Sequence, residues 1–581
     1  SGSRSSNWEL HNITMKTQGK HAVKYGGRLR RGDYTNIAEQ NFGGTFVFAG
    51  GLAPELDASN NIVLDGGGQP VMIQITSIER YRRTLILTDL ALSPAEILAR
   101  GGGASQFTLS AGTPETRYQQ TDLGLFVLDN WRVKPNFSLN MGLRYEIQSN
   151  IGDRRNWAPR LGFAWAPGAK KSGRSKTVIR GGTGVFYHRV EENLTLQALR
   201  FDGINQQQFF VPNPDFYPTV PSAETLTGAL IPPTLTQLAP NLRAPYSSQS
   251  AIGVERQLPG RSSVAATYRH TRGIRQLRSR NINVADPDTG IRPLGENDIF
   301  QYESSGLSRS HQMIVNFRTR FNRGVSLFGY YSLNRSNSNT DGAGTFPADP
   351  FDLSVENGPS RFDVRHRFVL GGSLTPLWGF RLSPFVILRS GQPFNITTGA
   401  DNNGDLRFTD RPSFATDLND PDVVVTEFGT FDRTPEPGST IIPRNFARGP
   451  SFSMLNLRLS KTFGFGKKTN EADNFRERIR RQRGGIALGG RGGGRGGRGG
   501  GPRGGGGGRG GSRGFGGRSN YRYSLSLSIS ARNVLNITNP STPIGNLSSP
   551  FFGESNASSG FGRGRSSAGN RNISARLSFN F

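Results

Sequence analysis

The sequence predicts an all-β chain, a transmembrane antiparallel β-barrel, on three observations. The first is strict alternation. At the C-terminus Ile573, Ala575, Leu577, Phe579 and Phe581 share one strand face, and Asn572, Ser574, Arg576, Ser578 and Asn580 share the other. The second is length: about ten residues is what a tilted strand needs to cross a bilayer, and stretches of that size recur along the chain. The third is the connections, which alternate short and long. Tight turns at one end and long loops at the other are the plan of an outer-membrane barrel, whereas a soluble sandwich has no reason to put all its long loops together.

Taken in order, the first two strands are read at residues 7–18 and 21–32, joined by Gly19-Lys20. A polar, Gly-rich stretch follows, with Gly66-Gly67-Gly68 and Gly101-Gly102-Gly103. Residues 121–133 and 137–148 pair around Lys134-Pro135-Asn136. In the second of these, Phe137, Leu139, Met141, Leu143, Tyr145 and Ile147 face lipid; Ser138, Asn140, Gly142, Arg144, Glu146 and Gln148 face the lumen. Strands at 158–166 and 177–189 precede a Pro- and Asn-rich loop from 190 to 246. Hairpins come next: 248–258 with 262–272 around Pro259-Gly260, and 311–321 with 325–334 around Asn322-Arg323-Gly324. Residues 365–374 and 380–393 turn near Pro376 to Gly379. Strand 455–463 enters a Gly/Arg segment, 521–534 leaves it, and 573–581 ends the series. That is roughly fifteen strands. Counting strand directions back from Phe581 puts Trp131, Trp165, Trp378, Phe463, Tyr521 and Phe579 near the periplasmic ends, where an aromatic girdle belongs.

Composition agrees. Only 34% of the 581 residues are hydrophobic and no run of about 18 apolar residues exists, which excludes helical spans. A barrel needs apolar residues at alternate positions only. There is no cysteine, hence no disulfide framework and no thiolate chemistry. Ser1-Gly2-Ser3-Arg4-Ser5 leads straight into strand-like sequence without a secretory signal, so we expect the C-terminal part of a longer exported protein. The net charge of +28 is uneven: residues 467–518 hold fourteen Lys/Arg against three Asp/Glu.

Several stretches resemble TonB-dependent outer-membrane receptors. They are Asp122-Leu123-Gly124-Leu125-Phe126-Val127-Leu128-Asp129-Asn130-Trp131-Arg132-Val133 with Leu139-Asn140-Met141-Gly142-Leu143-Arg144-Tyr145-Glu146, then Ala531-Arg532-Asn533-Val534-Leu535-Asn536, and the terminal Phe581. Ala158-Pro159-Arg160-Leu161-Gly162-Phe163-Ala164-Trp165 and Arg361-Phe362-Asp363-Val364-Arg365-His366-Arg367 resemble the Oar-like subgroup. The resemblance runs from about Tyr118 to Phe581 and covers the barrel part alone. It implies a 22-stranded barrel around a plug, energy-coupled uptake of a solute, and as partners TonB, the plug, the barrel-assembly machinery and outer-membrane lipid. Neither plug nor TonB box is assigned here. The whole chain, 1–581, is therefore read as barrel, with 467–520 as a low-complexity insertion.

Candidate sites follow. Arg144, Glu146, Arg180, Arg318, Arg458, Arg522, Arg532 and Arg576 are lumen-lining candidates, meeting a plug or solute or merely bracing the wall. Ile573, Ala575, Leu577, Phe579 and Phe581 form the terminal strand that assembly would read. Asp401-Asn402-Asn403-Gly404-Asp405, with Asp410, packs oxygen ligands around a Gly bend, as Ca²⁺ requires; it lacks the bidentate Glu of an EF-hand loop, and these are also ordinary turn residues. The Gly/Arg tract, 483–518, resembles RNA-binding RGG segments, but a periplasmic insertion meets little nucleic acid, and a disordered, solvated turn or contact with lipid headgroups is favoured. Residues 475–481 could form one or two helical turns. The six histidines lack H-E-x-x-H spacing and no G-x-S-x-G elbow occurs, so no enzyme is expected. The competing reading is a surface-structural or adhesive barrel whose loops bind partners.

Overall fold

The computed structural model describes residues 2–39, 41–168, 175–228, 233–321, 324–375, 378–436, 438–468, 521–559 and 569–581. Fifteen strands form its wall: β1 Gly2–Gln18, β2 His21–Ile37, β3 Glu115–Lys134, β4 Phe137–Gln148, β5 Trp157–Trp165, β6 Thr177–Tyr187, β7 Tyr246–Leu258 and β8 Ser262–Asn281. The series continues with β9 Ile299–Phe321, β10 Val325–Ser338, β11 His366–Leu374, β12 Phe380–Arg389, β13 Phe452–Lys468, β14 Tyr521–Arg532 and β15 Asn572–Asn580. Each pairs antiparallel with the next in chain order. Two loop segments, Leu235–Leu238 and Gly358–Pro359, join at the loop end and make the sheet seventeen-stranded. The sheet is not closed: among the described residues, β1 and β15 each keep an unpaired edge.

The alternation becomes two faces with different solvents. Ile252, Tyr268, Met313 and Leu333 lie on one cross-strand row, and all four are exposed. The same outer face carries Met141, Leu143, Leu527, Ile529, Leu577 and Phe579, also exposed, with Leu139 and Leu525 less so. An apolar surface this extensive has no stable contact with water. Aromatics mark both its borders. At the turn end lie Trp131, Trp165, Trp378, Phe463, Tyr521 and Phe579, and Phe465, Tyr523, Phe579 and Phe581 stack in series with centroids 5.9–6.2 Å apart. At the loop end Tyr145 packs on Trp157, Tyr268 Oη is 2.7 Å from His311 Nδ1, and Tyr331 Oη is 2.8 Å from His366 Nδ1. Rings with one wet end favour the headgroup level.

Strand parity puts connections 38–114, 188–245, 282–298, 339–365, 390–451 and 533–571 at one end. The opposite end has the tight turns, and there β13 and β14 flank residues 469–520. The strand before that insertion is longer than its alternation suggests. Phe463 pairs with Leu525, and it is Lys468 that meets Tyr521, so the segment leaves and returns between neighbouring strands. The Gly/Arg tract, residues 475–481 and the turn residues Asn322, Arg323, Pro376 and Leu377 lie outside the described residues.

The long connections are not featureless. The stretch read as polar and Gly-rich contains strands Thr45–Val47, Gly51–Pro54, Met72–Ile75 and Gln106–Gly112 and helices Ser77–Asp89 and Pro94–Ala99. Helix Pro94–Ala99 opens on a capping box between Ser93 and Glu96. Buried hydrophobic clusters sit in this cap. Phe107, Leu109, Phe209, Val211 and Leu226 form one; Phe394, Ile396, Phe431, Ile442, Ala447 and Leu547 another; Ile151, Val190, Leu194, Ala239, Leu242 and Ala244 a third. Each unites segments far apart in sequence, so the loops hold one another in place.

Candidate functional site

Two wall strands rise into the cap and build its central cavity. In β8 the register shifts on either side of Gln276, and Arg275 adopts φ +56°. Such a bulge bends a strand and re-aims its side chains. Beyond it Arg278 is fully buried and donates to Asn339 O at 2.7 Å, and Arg280 pairs with Glu303 of β9 at 3.0 Å. Ser279, Phe300 and Tyr302 thereby reach a cavity of about 640 Å³. Helix Glu192–Arg200 adds Gln197, strand Gln206–Pro212 adds Gln208, and Arg407 enters from the 390–451 connection. Among the described residues, no Asp, Glu or Lys lines it.

Arg407 is the cavity's charged group. Its guanidinium carbon lies 4.1 Å from the Phe300 ring centroid, 4.3 Å from Phe346 and 5.3 Å from Phe210. Cation–π contacts contribute about 0.5–2 kcal/mol each, the more so when desolvated. Yet among the described residues the guanidinium has no hydrogen-bond or ion-pair acceptor, and its Nε is buried without a partner. Burial lowers its pKa to about 10, which still leaves it charged at neutral pH.

The carboxylates beside it act on its charge through space but form no ion pair with it. Asp401 accepts the backbone N–H groups of Asp405 at 3.0 Å and Leu406 at 2.9 Å. Asp410 accepts from Asn402 N, and from Asn403 Nδ2 at 3.0 Å. Asp405 is fully buried; one oxygen accepts from Arg407 N at 2.8 Å and the other has no partner. Burial, then the Asp410 and Asp401 charges, pushes Asp405 up to about 8; burial raises Asp410 to about 7. These are turn roles, in which carboxylates hold the backbone of the bend. They engage most of these carboxylate oxygens and leave the second Asp405 oxygen without a partner. Among the described residues no three acidic or histidine side chains converge as a metal site.

The lumen-lining candidates are spread rather than gathered. Register puts Arg144, Glu146, Arg180, Arg318, Arg458, Arg522, Arg532 and Arg576 on the face opposite the apolar rows. Arg180 pairs with Glu255 at 2.7 Å and Arg458 donates to Ser528 at 3.2 Å. Two of the quoted motifs have structural work instead. Asp363, in Arg361-Phe362-Asp363, is buried; it accepts from Ser336 N at 2.9 Å and from Arg448 Nη2 at 2.7 Å, tying two long loops to β10. Asn533 adopts φ +48° and exchanges two hydrogen bonds with the Ile537 backbone, closing the bend after β14.

Wall, girdles and one-sided cap together define an outer-membrane β-barrel. The family model described as outer membrane beta barrel domain matches residues 1–156 and 150–473, and the chain belongs to that family. Among solved structures, the chain is similar to the outer membrane transporter YddB from Escherichia coli, at 12% identity and TM-score 0.48, with 99% of this chain and 53% of that one covered. A mutant of the ferric enterobactin receptor PfeA from Pseudomonas aeruginosa is 10% identical, with TM-score 0.47, covering 100% and 54%. The siderophore receptor PirA from Acinetobacter baumannii is 8% identical, with TM-score 0.45, covering 99% and 54%. The chain thus spans about half the length of these structures. No curated protein matches it.

Proposed function

We propose that the chain is the wall and external cap of a TonB-dependent outer-membrane receptor, of the Oar-like kind, whose whole protein takes up a small solute by energy coupling. The observation that supports this most is the ordered cap with its cavity of about 640 Å³. A passive pore gains nothing from loops that carry buried cores of their own, whereas a receptor must hold a ligand before admitting it. On this reading Arg144, Glu146, Arg180, Arg318, Arg458, Arg522, Arg532 and Arg576 line the lumen and meet the plug or the passing solute. The test uses cells expressing the whole protein and a panel of labelled polar solutes. Accumulation should stop when the proton gradient is collapsed or TonB is deleted. Surface binding of a solute with no accumulation under any condition would leave the adhesive barrel as the better reading.

A further inference from the structure

We infer that the cap cavity is an anion subsite in which Arg407 receives the carboxylate of a small, otherwise neutral and hydroxyl-rich solute. A guanidinium offers five N–H donors in a planar fork that matches a carboxylate with two parallel bonds. Here the fork is held in position before any ligand arrives. Phe300, Phe346 and Phe210 surround the group at 4.1–5.3 Å, and none of them offers it a carboxylate or carbonyl acceptor. A half-buried cation without a direct acceptor is a costly arrangement; Asp405, Asp401 and Asp298 act on it only through space, and no described residue accepts its N–H bonds. The remainder of the wall narrows the chemistry. Gln197, Gln208, Thr236, Ser279 and Tyr302 present amides and hydroxyls, suited to a polyol or amide body, while the absence of a second lining cation favours one negative charge over two.

Four connections supply the site, 38–114, 188–245, 339–365 and 390–451, together with the rising ends of β8 and β9. The inference deepens the receptor reading by naming a ligand class, but binding itself needs only the cap. The experiment therefore measures binding without transport. The whole protein, extracted in detergent from the outer membrane, is titrated with glucuronate, glucose and glucose 6-phosphate, read by saturation-transfer NMR. Glucuronate should bind saturably, and at least tenfold more tightly than glucose. Arg407→Met, which keeps an unbranched chain between the rings, should lower glucuronate binding at least tenfold; Arg407→Lys, which keeps the charge but loses the fork, should fall between. Undiminished binding in a folded Arg407→Met protein, judged by unchanged heat-modifiable migration, would overturn the inference. So would equal affinity for glucuronate and glucose, or tighter binding of the phosphate. If Arg407→Met fails to fold, the wild-type contrast between glucuronate and glucose decides alone. Failure of uptake in cells with binding intact would count against the receptor reading and leave the subsite standing.

Discussion

Asp405 and Arg407 stand two residues apart with opposite formal charges, and their side chains do not pair. The reason lies in the bend: Asp405 accepts the Arg407 backbone N–H, while the Arg407 side chain is drawn into the cage of phenylalanines. The buried carboxyl therefore prefers its proton, and with Asp410 it makes the 401–410 bend respond to pH. The charged groups acting on it are Asp401, Asp410, Asp298, Asp349 and Arg407. A carboxyl whose folded pKa is raised stabilises fully below its unfolded value near 4, and that stability is lost as pH rises through 7 to 8. Protease resistance of this bend should thus fall progressively between about pH 4 and pH 8, and Asp405→Asn should flatten the profile. An equally steep profile in the variant would show that another group titrates. Calcium at millimolar concentration should give no saturable heat in calorimetry.

At the scale of elements, the cap is held by buried charge as much as by its apolar clusters. Glu356, at the end of the 3₁₀ turn Leu353–Glu356, is 2.7 Å from Arg411 Nη1, and all three groups in this knot are buried, because Arg444 Nε approaches the same carboxylate at 3.7 Å. Removing one partner of a buried pair costs about 3–5 kcal/mol, since the other charge is left without compensation. Glu356→Ala should therefore open connections 339–365 and 390–451 to protease while the wall stays folded; unchanged cleavage would mean the apolar clusters suffice. Sequence reading reached the wall strands and missed this layer for a physical reason. Period two survives where one face meets lipid and the other water. Past Arg272 it fails, as the bulge at Arg275 turns β8 into surroundings buried on both faces. Likewise β9 starts at Ile299, not at His311. The cap strands are short and pair across great distances, Gln106–Gly112 with Gln206–Pro212, and the Arg407 cage joins three segments that no local pattern connects. Asp363 was legible as a motif residue; that it latches loops rather than ligand was not.

On the scale of the whole molecule, the level of each side chain in the bilayer decides its cost. Leu527 stands opposite Lys461, whose ammonium lies 4.6 Å from the Phe380 ring and 5.0 Å from Phe463. A cation already occupies that level beside the turn-end girdle. Ile529 lies one outward step further in, opposite Leu459 and Ala575. Ile529→Arg should then cost about 2–4 kcal/mol and Leu527→Arg about 0–1 kcal/mol, compared by urea unfolding of the whole protein in lipid vesicles; equal costs would misplace the membrane band. The insertion between β13 and β14 tests the orientation of the same band. Lys468 pairs with Tyr521, so the strands already meet where residues 469–520 depart. Their contact does not depend on that segment, and closure cost grows slowly with connection length, about 0.6 kcal/mol per doubling. Replacing 469–520 with a two-residue turn should leave assembly and heat-modifiable migration unchanged. A protease site placed in the segment should be cut in permeabilised cells and spared in intact ones. Cleavage from outside would invert every strand direction, and with it the placement of the cap, because the parity of fifteen strands admits no local exception.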